Sequence, residues 1–288
     1  MFIEALKVIF LGIVEGITEW LPVSSTGHML LVDEFLKIKI GPNAEEFSRV
    51  FIDVIQLGAI LAVVLFFFDK MWPFKLEKNS GKQKPGFDKD IISMWMKVIV
   101  ACIPGVIATV ICKFIFDLDK YLEIPFVIAA ALIIYGIGFI IIENYNKKRK
   151  PKVEELSEIT YKHALMIGLF QVLSIIPGTS RSGSTIIGSL IIGISRKAAA
   201  EFTFFLAVPV MFGLSALQVL KYFLEFGFCA DEVIMLALGM LVAFAVSLFV
   251  IKFLMGYIRK HDFKVFGWYR IVLGIIVIIY FAARMMLA

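Results

Sequence analysis

Residues 15–28 read EGITEWLPVSSTGH and residues 171–183 read QVLSIIPGTSRSG, each a polar, chemically loaded stretch set inside strongly apolar flanks. Where hydrocarbon surrounds a segment, carboxylates, imidazole and guanidinium are costly unless they pair or face a polar cavity. Their clustering therefore marks the two halves of one intramembrane site for an anionic group.

The hydrocarbon setting follows from composition. Of 288 residues, 60% are hydrophobic, 28 are Phe and only 18% are charged. Mean hydropathy is +0.90, and apolar runs recur near membrane-spanning length, which places the chain among integral membrane proteins. Lys7 is followed by apolar residues that run into Glu15 and Glu19 rather than a small-residue cleavage site, so the first segment is expected to stay in the mature protein. Cys102, Cys112 and Cys229 have neither metal spacing nor even pairing and read as small buried hydrophobes. The net charge of +5 lies in short connections between apolar segments, an orientation signal rather than a nucleic-acid footprint.

Six spans are expected at about 51–68, 91–112, 124–142, 198–220, 233–255 and 267–283. The connection 69–90 holds six Lys, 143–162 holds Lys147, Lys148, Arg149, Lys150, Lys152 and Lys162, and the stretch after Gly256 holds Arg259, Lys260 and Lys264. By the positive-inside bias these face the cytoplasm, and the connections 33–50, 113–123 and 221–232 face outward.

The two motif regions do not behave as ordinary spans. Between Lys162 and the outward connection near Glu225 the number of crossings must be odd, yet three apolar pieces occur, at 163–176, 184–194 and 198–220. Only the last is long enough to cross alone, so the first two form a helix-loop-helix hairpin around PGTSRSG. The N-terminal region has the same form around PVSSTG.

The expected fold is an all-α polytopic membrane protein with six spanning helices and two re-entrant helix-loop-helix hairpins. It forms one integral membrane domain, 1–288, with inverted-topology repeats at about 1–142 and 163–288. PVSSTGH (22–28) and PGTSRSG (177–183) align on their prolines, and an odd number of spans per half inverts the second. Irregular backbone at midplane depth is tolerated only where it is buried in protein or lines a polar cavity.

Glu15 and Glu19, four residues apart, share a helix face, where paired carboxylates share a proton, bind a cation or do acid-base work. His28 closes the same segment. Ser24, Ser25 and Thr26, with the Gly27 amide, offer hydroxyls and a helix start that cradles an oxyanion or presents a nucleophile, Ser25 first. In the second loop the Arg181 guanidinium fork matches phosphate oxygens, Thr179, Ser180 and Ser182 add donors, and Gly178 and Gly183 let backbone approach closely. Carboxylates repel an anion unless they are protonated or bridged, which points to a divalent cation, Mg²⁺ or Ca²⁺, held by Glu15 and Glu19. Asp53, Gln56, Gln171, Ser174 and Glu201 form a second tier of polar positions.

At these residues the chain resembles the bacterial undecaprenyl-diphosphate phosphatase family, also known as the bacitracin-resistance family. EGITEWLPVSSTGHM (15–29), DVIQLGAILAV (53–63), PGTSRSG (177–183) and EFTFFLAVP (201–209) are similar to family segments in the expected order. The resemblance implies hydrolysis of the terminal phosphate from a C55 isoprenyl diphosphate, regenerating the lipid carrier for peptidoglycan precursors. It also implies a place in the bacterial cytoplasmic (inner) membrane, a pocket open to the extracytoplasmic side, stimulation by divalent cations, and homodimers. Carried onto this chain, the family's glutamate pair is Glu15 and Glu19, its serine Ser25, its histidine His28 and its arginine Arg181. Attack by Ser25 activated by His28, or by water positioned by His28 or a glutamate, remain alternatives. A polyprenyl-phosphate flippase or small-anion transporter is the other class consistent with broken helices and inverted repeats.

Overall fold

The structure is a computed structural model that describes residues 1–79, 82–112 and 124–287. Its helices are α1 (Phe2–Thr18), α2 (Ser25–Phe35), α3 (Ala44–Phe66), the single turn α4 (Phe68–Met71), α5 (Lys89–Val110), α6 (Pro125–Asn146), α7 (Tyr161–Val172), α8 (Arg181–Ile191), α9 (Arg196–Glu225), α10 (Ala230–Tyr257) and α11 (Lys264–Leu287). Six of them, α3, α5, α6, α9, α10 and α11, are long and apolar enough to cross a membrane. The protein is an all-α polytopic membrane protein by that criterion. The expected outward connection 113–123 lies outside the described residues.

The spans run longer than their apolar cores. Helix α3 begins at Ala44, seven residues before the apolar run, because Gly41, Pro42 and Asn43 break the chain and Glu45 and Glu46 then suit a first turn, where carboxylates meet the positive helix end. A two-stranded departure from helix occurs among the described residues. In the Lys-rich connection, β1 (Phe74–Asn79) and β2 (Lys82–Phe87) pair antiparallel with Phe74 opposite Phe87. FKLE alternates apolar and charged residues with the period of a strand, not of a helix.

Close helix contacts are made at glycines. A Cβ on Gly12 or Gly16 of α1 would stand 2.9 Å from the carbonyl oxygens of Gly239 and Ala243 on α10, and one on Gly58 of α3 would strike the Met240 carbonyl. Gly168 of α7 meets the Ala101 carbonyl of α5, while Gly136 of α6 and Gly267 of α11 each face the other's carbonyl. Such approaches maximise dispersion contact where lipid removes the hydrophobic drive between helices. The outer surface is correspondingly apolar, with Phe2, Leu6, Phe10, Ile13 and Ile17 exposed along α1 alone.

Two buried carboxylates pin the basic end of the bundle. Glu143 accepts from Arg196 through both Nε and Nη2 and from the Phe263 amide at 3.0 Å, joining α6, α9 and the start of α11. Glu201 accepts from Lys70 Nζ at 2.9 and 2.8 Å.

Candidate active site

Both motif segments break helix at a proline and restart it at a serine. Pro22 and Pro177 lack an N–H and disfavour helical geometry in the residue before them. Ser24 and Ser180 then adopt left-handed φ values of 74° and 66°. Their hydroxyl oxygens cap the next helices by accepting from the Gly27 amide at 3.3 Å and the Gly183 amide at 3.2 Å. Ser25 is thereby the first residue of α2 and Arg181 the first residue of α8, so both sit at positive helix ends.

These two residues meet on Glu19, which ends α1. The Ser25 hydroxyl donates to Glu19 Oε2 at 2.8 Å, and Arg181 Nη2 donates to Glu19 Oε1 at 2.9 Å. Arg181 Nη1 also donates to the Ala207 carbonyl of α9 at 3.3 Å. Arg181 Nε is buried with no hydrogen-bond partner among the described residues. Glu15, one turn earlier on α1 and only 3% exposed, lies within electrostatic reach of Glu19, Asp53 and Arg181.

His28 sits one turn beyond Ser25 and is held from two sides. Nδ1–H donates to the Ser24 carbonyl at 2.8 Å, which leaves Nε2 to accept from the Tyr269 hydroxyl at 2.7 Å. The two rings stack with planes 7° apart. The partner of Ser25 is thus a glutamate, while the imidazole is tied to α11.

Several of the remaining expected residues build the loops. The Thr179 hydroxyl donates to the Ile176 carbonyl at 2.7 Å, and the Ser180 and Ser182 hydroxyls share a 3.0 Å hydrogen bond. Gly178 has φ 92°, and a Cβ there would strike the Ile128 carbonyl. Thr26 is exposed on the first turn of α2. Among the second tier, Gln218 donates to Asp53 at 2.8 Å, Gln56 donates to the Ser215 hydroxyl at 2.9 Å, and Ser174 donates to the Gln171 carbonyl at 2.7 Å.

One central residue escaped the sequence reading. Arg270 of α11 is fully buried and donates through Nη1 to the Pro22 carbonyl at 3.3 Å and through Nη2 to the carbonyls of Gly178 and Thr179 at 2.7 and 2.8 Å. It clamps the two broken loops to each other. The signal was available, since an arginine inside an apolar span needs internal partners.

A profile of the family described as Bacitracin resistance protein BacA matches residues 8–276. The chain belongs to the BacA family. An undecaprenyl-diphosphatase of Enterococcus faecalis is 61% identical over 280 residues, covering 96% of this chain and 97% of the relative. Proteins of the same name from Lachnoclostridium phytofermentans and Desulfitobacterium hafniense are 60% and 54% identical, with at least 97% of each chain covered.

For this BacA-family chain a divalent cation is compatible with the donor set. Among the described residues no three His, Cys, Asp or Glu side chains converge at ligating distance. Mg²⁺, however, commonly takes one or two carboxylates and completes its shell with water and substrate phosphate oxygens. Glu15 and Glu19 offer that pair.

Proposed function

We propose that this BacA-family chain hydrolyses undecaprenyl diphosphate to undecaprenyl phosphate and inorganic phosphate, recycling the lipid carrier, at the Glu19–Ser25–Arg181 centre. The observation that carries the assignment to these residues is the Glu19 carboxylate bridging the Ser25 hydroxyl and the Arg181 fork, with the buried Nε of Arg181 left for an oxyanion. Phosphoryl transfer asks little of a protein beyond positioning and neutralising charge. Arg181 and the two helix starts supply both.

In the reaction, Ser25 Oγ attacks the terminal phosphorus and gives its proton to Glu19 Oε2. The bond from that phosphorus to the bridging oxygen breaks, and undecaprenyl phosphate leaves. Water then attacks the phosphoserine as Tyr269 yields His28 Nε2 to take the water's proton; the bond from Ser25 Oγ to phosphorus breaks, Oγ recovers its proton from Glu19, and inorganic phosphate departs. A phosphate taking over Arg181 frees Glu19 from its ion pair and makes it a better base at the moment Ser25 must lose its proton. A divalent cation held by Glu15 and Glu19 would supply charge neutralisation on the diphosphate.

In the same proposal the chain is an inverted repeat in which α1, α2, α3, α5 and α6 correspond in order to α7, α8, α9, α10 and α11, the single turn α4 having no counterpart, and the two helix-loop-helix units re-enter from opposite faces. Supporting this, the caps equate Ser24 with Ser180 and Gly27 with Gly183, one residue displaced from the proline-anchored alignment. The packing also crosses over: α1 lies on α10 and α7 on α5, while α3 with α9 and α6 with α11 are self-equivalent pairs. The basic connections face the cytoplasm in this arrangement, and the pocket opens on the other side.

The test is inorganic phosphate release from an isoprenyl diphosphate by purified protein, with and without chelator, beside Arg181→Ala and Glu19→Gln. Release by the wild type that collapses in both variants supports the assignment. Folded wild type that moves the lipid between leaflets without releasing phosphate overturns it in favour of transport.

A further inference from the structure

Away from the site, a cavity of about 400 Å³ opens between α6 and α8, lined by Gly138, Ile141, Ile142, Tyr145, Ile187 and Ile191. Apart from the Tyr145 hydroxyl every lining group is apolar. Ile141, Tyr145 and Ile191 are half or more exposed, at 63%, 53% and 50%. Gly138 puts no side chain into the groove, and a Cβ there would meet only Ile187 Cδ1, at 3.5 Å. On the flank of a membrane protein such a concavity is filled by a hydrocarbon chain.

The end of the groove carries charge. Helix α6 stops at Asn146 and runs into the exposed Lys147, Lys148, Arg149 and Lys150. The Arg149 guanidinium stands 3.8 Å from the centre of the Tyr145 ring, held at the mouth of the groove by its attraction to the π face. Asn146 Nδ2 donates to the Leu190 carbonyl at 3.0 Å, so this basic end is fixed against the end of α8. Of the acids on the flanking segments, Glu143 is committed to Arg196 and the Phe263 amide and Glu155 to Lys197.

We propose that the α6–α8 groove binds a phospholipid with an anionic headgroup, an acyl chain lying along Gly138, Ile141 and Ile187 and the phosphate resting against Lys147 to Lys150. Basic pockets between membrane helices recognise such headgroups by the sum of individually modest attractions. The headgroup proposed here is distinct from the substrate's, whose diphosphate belongs with Arg181 at the opposite end of α8 in the function proposed above. That helix rises about 1.5 Å per residue, and Ile187 and Ile191 stand on its later turns.

Native mass spectrometry of purified protein titrated with phosphatidylglycerol or with phosphatidylcholine tests the site. Wild type should retain phosphatidylglycerol at least about fivefold better than phosphatidylcholine, the ratio expected from roughly one headgroup-to-cation attraction. Retention should fall at least about threefold both in Lys147→Gln/Lys148→Gln/Arg149→Gln and in Gly138→Leu, with phosphate release unchanged, if one attraction or the chain contact is lost. Ile191→Phe serves as a second groove-filling variant should Gly138→Leu fail to fold. Equal retention of the two lipids, or loss only in the charge variant, overturns the groove assignment. So does displacement of phosphatidylglycerol by isoprenyl diphosphate with a raised KM in the groove-filling variant, which would make the groove the substrate's own.

Discussion

At the scale of single residues, Glu19 is the hinge of the proposed chemistry, since one carboxylate oxygen holds Ser25 and the other holds Arg181. Replacing Arg181 with Ala should lower kcat by about 10²–10³, the usual cost of removing a donor that stabilises transition-state charge. Arg181→Lys should recover little of it, because a point charge lacks the fork that spans two phosphate oxygens. If Ser25 is the nucleophile, acid quenching during turnover will trap phosphoserine at Ser25, and Ser25→Ala will show only background phosphate release. A Ser25→Ala protein within tenfold of wild type would instead assign attack to water. Arg270 acts through the loops. Arg270→Met leaves three buried carbonyls without their donor, so a stability loss of about 1–3 kcal/mol is expected, with kcat falling more than KM rises. Melting in detergent and steady-state kinetics on the same preparation separate the two effects. That Glu15, Glu19, Ser25, His28 and Arg181 would gather in one region was readable from polar residues placed in apolar sequence. That Ser25 pairs with Glu19 rather than His28 was not, because both lie within a few residues and only the turn at 19–24 decides which side chain the hydroxyl meets.

At the scale of elements, helix existence was legible and helix ends were less so. Apolar runs mark the part of a helix that faces lipid, whereas its termini are set by caps and breaks such as Gly41–Pro42–Asn43 before α3. The left-handed serines are a further case. Nothing in PVSS or GTSR states that Ser24 and Ser180 take positive φ, yet the helices that restart there bring Ser25 and Arg181 to the two oxygens of Glu19. Ser180→Gly keeps the backbone at ease and loses the cap and the Ser182 hydrogen bond, while Ser180→Ala loses the same two hydrogen bonds and retains the strain. The Ala protein should therefore melt earlier than the Gly protein, by an amount on the order of 1 kcal/mol. Equal melting would show that the positive φ costs nothing in place.

At the scale of the whole molecule, glycine contacts and buried ion pairs set how the helices sit together. Gly58→Leu would drive a side chain into the Met240 carbonyl and part α3 from α10, and loss of folded protein in a detergent-resistance assay is expected. Arg196→Ala strands the buried Glu143. Because Arg196 is itself about one-third exposed, a cost of about 2–3 kcal/mol is expected rather than the larger value for a fully buried pair. Glu143→Leu combined with Arg196→Leu should restore much of that loss, which thermal melting will show. The sequence by itself determined the solvent, the number of spans, the two polar breaks and the family, since hydropathy, charge placement and long motifs are properties of residues in order. Only the tertiary structure decided that Arg270 joins the two loops, that Glu19 bridges Ser25 and Arg181, and that α6 and α8 leave a groove beside a basic cluster. Those features depend on side chains far apart in the chain reaching a common point, and their meeting is set by helix packing at glycines rather than by any local pattern.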